Sequence, residues 1–345
     1  MLLHRVLTAL VGVPVVLACI WLGAPWITIL AAVAAVIGVR EAYRLYPANR
    51  DRMAEGDDSP DTPLPVLLGG VWAVALVLAG ELAVRPQDFG WAVLGICMAG
   101  AVAAGLWMIA AWHGQRPIAA AGYLIVSPVY IGGALAAATA LRGIDGLPRL
   151  WRAKVDDPAP PLSRPPLIED DGLGEAFETA YAAPGAAEGV WALPDIIGSD
   201  FARELTVLTE TGCWWLLLAI LTVYAADTGA YMVGRLFGRH RMAPGISPGK
   251  TWEGTAGGML AAAIAAVVVG VLFPLRLEIW HLAMIGVILG AVSPIGDLAE
   301  SKIKRLADAK DSGNLFPGHG GMLDRLDSLL PSLIAVYVLA AVSTP

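Results

Sequence analysis

The sequence predicts an all-α polytopic membrane protein of about nine transmembrane helices, with a polar cavity that opens to the cytoplasm. The 345 residues are 57% hydrophobic and only 15% charged, and the mean hydropathy is +0.65. A soluble domain of this size needs a larger share of charged surface. Apolar runs long enough to cross a bilayer also recur along the chain. The predicted spans are 6–22, 25–39, 66–84, 90–111, 118–141, 213–234, 255–275, 279–296 and 326–343.

The first five spans make up an N-terminal region, residues 1–141. Span 6–22 is similar to the apolar core of a signal peptide, but no small-x-small cleavage site is obvious and another apolar run follows at once. We therefore expect it to stay in the protein as the first membrane helix. Gly23-Ala24-Pro25 separates it from the second span, and the two spans could instead form a single hairpin.

The distribution of Lys and Arg predicts a cytoplasmic N-terminus. With that orientation the short cytoplasmic loops carry most of the positive charge, as the positive-inside rule requires. The short loops on the other side hold little beyond Arg85 and Arg276. Both polar loops, 235–254 and 297–325, then face the cytoplasm, and we expect the membrane to be a bacterial cytoplasmic membrane. The cytoplasmic basic residues are Arg40, Arg44, Arg50, Arg52, Arg235, Arg239, Arg241, Lys250, Lys302, Lys304, Arg305, Lys310 and Arg325.

Residues 142–211 differ from the rest of the chain. They contain thirteen Asp and Glu against six Lys and Arg, with clusters of Pro and Gly. This composition predicts a long solvated insertion, on the non-cytoplasmic side by the span count, to which we assign no chemistry. Residues 212–345 follow it as a C-terminal region of about four helices, which carries the candidate catalytic residues.

The segment after the eighth span combines a helical pattern with a high charge. Residues 297–311 contain eight charged side chains, and at roughly 2.5 kcal/mol each their exposure to lipid would cost about 20 kcal/mol. On a helix, Asp297, Ser301, Lys304, Arg305 and Asp308 form one stripe. This stripe must therefore face water, protein or a polar cavity.

A glycine-rich loop and two acids follow in the stretch PGHGGMLDRLDS. Gly320 and Gly321, beside His319, permit a backbone in which successive N–H groups point at one anion. Asp324 and Asp327 lie three residues apart and share a face at the start of the ninth helix. Carboxylates at a helix start also stabilise the helix dipole, so a ligand role for Asp324 and this plainer role both stay open.

Together these groups indicate phosphoryl or nucleotidyl transfer. Mg²⁺ takes one or two protein carboxylates and completes its shell with water and substrate phosphates. Lys304, Arg305, Lys310 and Arg325 supply the cations that phosphate oxygens need. In such sites catalysis is largely positioning and charge neutralisation.

A second polar block lies around residues 227–254. Its stretch GISPGKT is not a P-loop, since Pro244 stands where the first Gly is needed and no strand is expected before it. Asp227 lies within an otherwise apolar span, where an acid is costly and usually has a partner or a substrate. Lys250 could reach a phosphate, although a lone Lys in such a loop more often only sets topology.

The stretch SKIKRLADAKDSGNLFPGHGGMLDRLD, residues 301–327, resembles the hallmark pattern of phosphatidate cytidylyltransferases (CDP-diacylglycerol synthases). The upstream DTGAYMVGRLFG and ISPGKTWEG also look like this family's second block. The resemblance is convincing over about 220–330, while the 142–211 insertion departs from it. The filled pattern positions are Ser301, Lys304, Arg305, Lys310, Asp311, Gly313, Pro317, His319, Gly320, Gly321, Asp324, Arg325 and Asp327.

The resemblance implies a Mg²⁺-dependent reaction in which CTP and phosphatidic acid, a membrane lipid, give CDP-diacylglycerol and pyrophosphate. It also implies a helical homodimer that needs no nucleic acid partner. Asp297 and Asp324 match the family's metal-binding aspartates. Lys304, Arg305 and Arg325 would hold phosphates, with His319 as a hydrogen-bond donor to them. The remaining expected substrate-binding residues are Ser301, Lys310, Asp311, Gly320, Gly321, Asp327, Asp227, Ser247 and Lys250.

Two other functions fit a membrane protein with buried charges. A CDP-alcohol phosphatidyltransferase uses related substrates, but its acidic motif opens with D-G-x-x-A-R, and no such run is present. A transporter would favour inverted repeats and helices broken at mid-membrane. No repeat is evident, and the polar groups concentrate at the cytoplasmic edge.

Overall fold

The computed structural model describes residues 2–46, 64–83, 86–113, 116–143, 211–273, 275, 277–316 and 320–343. These residues form ten α-helices and one antiparallel hairpin, β1 with β2. The elements in chain order are α1 (Leu2–Leu22), α2 (Trp26–Arg44), α3 (Val66–Leu82), α4 (Pro86–Ala111), α5 (Pro117–Arg142), α6 (Thr211–Phe237), β1 (Arg241–Ala243), β2 (Ser247–Thr251), α7 (Trp252–Leu272), α8 (Ile279–Leu306), α9 (Leu323–Leu326) and α10 (Leu329–Ser343).

Every predicted apolar segment coincides with one of these helices, so the helical fold class is confirmed. Six helices of the described ranges are long and apolar enough to cross a membrane. These six are Trp26–Arg44, Gln87–Ala111, Pro117–Arg142, Gly212–Phe237, Trp252–Leu272 and Ile279–Leu306. The other three, Leu10–Leu22, Val66–Leu82 and Leu329–Ala341, are shorter apolar helices. The total of nine spans therefore stays a prediction.

Proline marks the start of several helices. Pro25 and Pro65 directly precede α2 and α3, and Pro86 and Pro117 are the first residues of α4 and α5. The first turn of a helix has no internal partner for its N–H groups, so proline loses nothing there and supplies a suitable φ angle. Helix α7 begins instead with Thr251 as its N-cap residue, whose Oγ1 accepts a hydrogen bond of 3.1 Å from the N–H of Gly254.

The helices pack in two groups that share α10. In the first group α3 packs on α2 and α5, and in the second α7 lies between α6 and α8. Close approach in the second group depends on small residues, since a Cβ at Gly290 would lie 2.6 Å from the Cα of Met259. Helix α10 contacts both α5 and α8 and so joins the groups.

The chain connections define two ends of the helix bundle. At one end, which we call the insertion end, Arg142 Nε donates to the carbonyl of Ile20 over 3.0 Å, and Gly212 packs directly against the carbonyl of Arg142. At the other end, the site end, α2 and α8 finish and the hairpin begins. Residues 144–210, most of the predicted insertion, lie outside the described residues, but both of their attachment points are at the insertion end.

Two local features differ from the sequence analysis. A short strand, β1, does precede the GISPGKT stretch, and Ser247 and Lys250 lie on β2, its hairpin partner. The P-loop is still excluded, because the residues that a P-loop would fold around a phosphate form a strand here. Helix α8 ends at Leu306, so Asp308, whose φ is 52°, lies beyond the helix and not on the stripe that was predicted to include it.

Candidate active site

Helix α8 brings its polar residues to the site end of the bundle. Asp297 lies about two turns before the end of α8, where its Oδ2 forms an ion pair of 2.7 Å with Lys250 Nζ of β2. Ser301, one turn further along, donates from Oγ to Asp297 Oδ1 over 3.1 Å. Lys250 also donates to the carbonyl of Pro294 over 3.2 Å. The hairpin and α8 are therefore joined through these two charged side chains.

Asp324 is the centre of a second cluster, formed by α8 and the loop that follows it. Its Oδ1 contacts Lys304 Nζ at 2.6 Å. Its Oδ2 accepts hydrogen bonds from the backbone N–H groups of Ser312 and Gly321, both over 2.8 Å, and from Ser312 Oγ over 2.9 Å. A carboxylate with this many donors stays ionised and holds the loop in one conformation.

The pKa values of the two aspartates outside the long helices move in opposite directions. Burial is the largest influence on the pKa of Asp324 and raises it, but the hydrogen bonds from Lys304, Gly321 and Ser312 outweigh burial and lower the pKa to about 2. Burial also raises the pKa of Asp327, and the negative charge of Asp297 adds to this, so that the pKa of Asp327 is about 6. Asp324 thus stays ionised at neutral pH, whereas Lys304 and the hydrogen bond from the N–H of Ser328 lower the pKa of Asp327 by less than burial and the neighbouring aspartates raise it.

The negative charges of three aspartates from different elements act on one another near α8. Asp327 feels the charges of Asp297 and Asp227, and Asp227 on α6 accepts a hydrogen bond of 2.9 Å from Ser293 Oγ on α8. Gly296 makes this approach possible, because its missing side chain leaves room for the carbonyl of Asp327. The residues were singled out separately from sequence, and the tertiary structure brings them into one region.

Lys304 is shared between two acids. Its Nζ lies 3.1 Å from Glu300 Oε1 as well as 2.6 Å from Asp324 Oδ1, and its side chain is only 13% exposed. Glu300 is 5% exposed, and it was not among the predicted site residues. The sequence signal that could have identified Glu300 is its position one helical turn before Lys304, where a Glu and a Lys on a helix can form an ion pair. The role of Lys304 as a phosphate ligand stays a prediction, since in this structure its ammonium contacts carboxylates.

Glu41 and Ser312 are the other residues that the sequence analysis missed. Glu41 lies on α2, and its carboxylate accepts hydrogen bonds from the N–H groups of Met322 and Leu323 over 3.0 and 2.9 Å. Ser312 Oγ lies 3.1 Å from Glu41 Oε2 and thereby connects it to Asp324. An acid near the end of an apolar helix is a recognisable signal for Glu41, but its partner is far away in sequence.

The glycine-rich loop uses its N–H groups internally. The N–H of Gly321 donates to Asp324, and the next two N–H groups donate to Glu41. Gly320 has a φ of 80°, a conformation that favours glycine. Binding of substrate by Gly320 and Gly321 stays a prediction, and an anion-binding function would have to use other N–H groups of the loop.

The remaining predicted residues lie around these clusters. Arg305, Lys310, Asp311 and Arg325 are exposed at the site end, where they are accessible to a soluble anion. His319 lies within 317–319, outside the described residues.

The carboxylate oxygens of the candidate site suit a hard cation that takes only part of its ligands from the protein. Within the described ranges no three His, Cys, Asp or Glu side chains converge to form a metal cage. Asp297 is nevertheless 33% exposed, and the charge of Asp297 disfavours ionisation of Asp327, a strain that a cation would relieve. This fits Mg²⁺, which leaves most of its shell to water and substrate phosphates.

The fold and the site define a helical membrane protein in which two lysine–aspartate pairs lie at the end of α8, an arrangement suited to phosphate chemistry. The profile of the Cytidylyltransferase family matches residues 3–343, nearly the whole chain, and the protein belongs to this family.

Curated relatives carry one function name. The chain is 36% identical over 243 residues to the phosphatidate cytidylyltransferase of Mycobacterium bovis, a match covering 67% of this chain and 76% of the relative. The phosphatidate cytidylyltransferase of Mycobacterium tuberculosis is also 36% identical over 243 residues, with 71% of the relative covered. That of Bacillus subtilis is 40% identical over 138 residues, covering 40% of this chain and 51% of the relative.

Proposed function

We propose that this protein is a phosphatidate cytidylyltransferase, which converts CTP and phosphatidic acid to CDP-diacylglycerol and pyrophosphate. The observation that carries the proposal is the pair of lysine–aspartate contacts at the end of α8, Lys250 with Asp297 and Lys304 with Asp324. Both lysines and both carboxylates are the groups that a nucleoside triphosphate and its metal require. The named relatives support the same reaction.

The reaction is a displacement at phosphorus. An oxygen of the lipid phosphate attacks the α-phosphorus of CTP, a new P–O bond forms, and the bond between the α-phosphorus and the bridging oxygen breaks. The electron pair leaves with pyrophosphate. The nucleophile is already ionised at neutral pH, so the protein has no need of a general base and acts mainly by positioning and charge.

Each lysine has a defined task in this scheme. Lys250 and Lys304 are now neutralised by Asp297 and Asp324. When the triphosphate enters, both ammonium groups turn to phosphate oxygens, and the exposed Arg305 and Arg325 add positive charge from the solvent side. Each lysine–aspartate contact is thereby replaced by a lysine–phosphate contact, so both ammonium groups stay paired with an anion before and after the triphosphate enters.

Asp297 and Asp324 would hold Mg²⁺, and the negative charges of Asp227 and Asp327 would add to the attraction for a cation. A bound Mg²⁺ would supply positive charge that offsets the charge developing on the phosphate oxygens. The carboxylate oxygens of Asp297 and Asp324 would be available to it once Lys250 and Lys304 contact phosphate oxygens instead.

The membrane arrangement follows from the charge distribution. We place the site end at the cytoplasmic face of a bacterial cytoplasmic membrane, with nine spans, a cytoplasmic N-terminus and the insertion on the opposite side. The basic loops and the supply of CTP support this side. We also propose a homodimer, as the family resemblance implies.

Detergent-purified protein incubated with radiolabelled CTP and phosphatidic acid tests the activity. We expect labelled CDP-diacylglycerol with Mg²⁺ and none after chelation by EDTA, with activity restored when Mg²⁺ is added back. Omission of phosphatidic acid controls for other acceptors. Failure to form labelled lipid under any of these conditions would refute the proposed function.

A further inference from the structure

Glu41 is a buried acid from the N-terminal half of the chain that reaches into the loop of the candidate site. Glu41 is only 4% exposed to solvent. Its Oε1 accepts from the N–H of Met322 over 3.0 Å, and its Oε2 accepts from the N–H of Leu323 over 2.9 Å. Ser312 Oγ, at 3.1 Å from Oε2, supplies a further contact. All of these contacts go to one loop, which is distant in sequence from α2.

The loop is shaped to receive this carboxylate. A Cβ on Gly313 would lie 2.5 Å from Glu41 Oε1, and a Cβ on Gly321 would lie 2.5 Å from Oε2. Real Cβ atoms do not come so close to an oxygen, so both positions must lack a side chain while Glu41 is in place. Gly313 and Gly321, two glycines of the hallmark pattern, therefore leave space for the carboxylate of Glu41, a residue outside that pattern.

The helix that carries Glu41 is firmly held. Its neighbour Tyr43 is fully buried and donates from its hydroxyl to the carbonyl of Leu124 on α5 over 3.0 Å. Ala42 and Val39 are also buried against the surrounding helices. A carboxylate on such a support restricts the loop, because movement of the loop would break hydrogen bonds to a charged group.

Ser312 links Glu41 to Asp324, one of the proposed catalytic residues. The hydroxyl of Ser312 lies 2.9 Å from Asp324 Oδ2 on one side and 3.1 Å from Glu41 Oε2 on the other. Asp324 in turn contacts Lys304. A shift of the loop away from Glu41 would thus move the carboxylate and the lysine of the site together.

We propose that Glu41 is a positioning residue: its carboxylate holds Ser312 and the backbone of residues 322–323 against α2, and through Ser312 it sets the place of Asp324 and Lys304. The proposal rests on the proposed function for its effect on catalysis, but not for its effect on the loop. It gives the N-terminal helices a direct part in the site, beyond crossing the membrane.

Glu41→Gln is the informative variant. An amide has a single acceptor oxygen, so one of the two backbone N–H groups then faces an NH₂ group and loses its partner. We expect kcat for CDP-diacylglycerol formation to fall about tenfold or more, the size expected for one lost hydrogen bond to a charged group. The KM for CTP should rise as well, because the displaced Lys304 is a proposed ligand of the triphosphate. Amide hydrogen exchange should accelerate in 312–323.

Glu81→Gln is the matched control. Glu81 is a partly buried acid on α3 that accepts a hydrogen bond of 2.7 Å from Thr28 Oγ1. Thr28 lies at the opposite end of α2 from Glu41, about 20 Å away along the helix. We expect this variant to keep wild-type kcat and wild-type exchange in the loop. An equal loss in both variants would mean a general effect on stability and would overturn the proposal.

Gly313→Ala tests the same contact from the loop side, should Glu41→Gln not fold. Its methyl group would push directly on the Glu41 carboxylate. We expect the same local gain in exchange and the same fall in kcat.

The two proposals fail in different ways. If the wild-type protein forms no CDP-diacylglycerol, the function is wrong, and the exchange measurement alone decides the role of Glu41. If Glu41→Gln or Gly313→Ala keeps both wild-type kcat and wild-type exchange in 312–323, Glu41 is not a positioning residue.

Discussion

Lys250 Nζ and Asp297 Oδ2 lie 2.7 Å apart and join the hairpin to α8. The hairpin that presents Lys250 is itself held by Glu253, whose Oε2 accepts hydrogen bonds from the N–H groups of Arg239 and His240 over 3.1 and 3.2 Å. Two separate blocks of the sequence therefore meet at the end of α8, and Lys250 makes specific contacts there with Asp297 and with the carbonyl of Pro294.

Replacement of Lys250 by Met should impair catalysis. The change removes a charge-assisted hydrogen bond and a cation from the proposed triphosphate site, so kcat/KM should fall by about 10- to 100-fold. Steady-state kinetics with varied CTP measures this. Lys302→Met serves as the control, since Lys302 is an exposed lysine on α8, the helix that carries Asp297. Equal activity of the two variants would contradict the role of Lys250.

Asn substitutions of Asp297 and Asp324 should separate metal binding from loop support. Either change should abolish CTP-dependent formation of CDP-diacylglycerol, while the folded protein remains extractable from membranes. Only Asp324→Asn should also loosen the loop, because Asp324 Oδ2 accepts the N–H groups of Ser312 and Gly321. Hydrogen exchange of residues 312–323 measures the difference. Near-normal turnover in either variant would defeat the assignment of that aspartate to the metal.

Lys304→Met should destabilise the protein as well as inactivate it. The change leaves Glu300, which is 5% exposed, without the ammonium at 3.1 Å. Removing one partner of a buried ion pair costs about 3–5 kcal/mol. The double variant Glu300→Gln/Lys304→Met should recover the part of this stability that is due to Glu300, but not the part that is due to Asp324, and no activity. Thermal unfolding in detergent and product formation measure the two effects, and recovery of activity in the double variant would argue against a catalytic Lys304.

Deletion of residues 150–205 should leave activity largely unchanged. The ends of the insertion meet, since Gly212 packs against the carbonyl of Arg142, so a short linker can replace the deleted residues without moving α5 or α6. Both attachment points also lie at the end of the bundle opposite the site. A well-folded but inactive deletion variant would show that the insertion takes part in function.

Much of the architecture could be predicted from sequence, because apolar runs in a chain this hydrophobic must form helices that satisfy their own backbone hydrogen bonds. The placement of the predicted segments on helices confirms that argument. Helix ends were less predictable: the helical stripe predicted to run from Asp297 through Asp308 stops at Leu306, because Asp308 adopts a positive φ angle that a helix does not allow.

The sequence by itself determined the helical class, the two polar blocks and the family resemblance, since hydropathy and motif spacing are local properties of the chain. Only the tertiary structure decided which charges meet: Lys250 with Asp297, Lys304 with both Glu300 and Asp324, and Glu41 with the loop. These partners come from different helices, and helix packing brings them together through contacts that no short window of sequence contains. The hydrogen bonds that hold a loop to a distant acid are therefore visible only once the chain is folded.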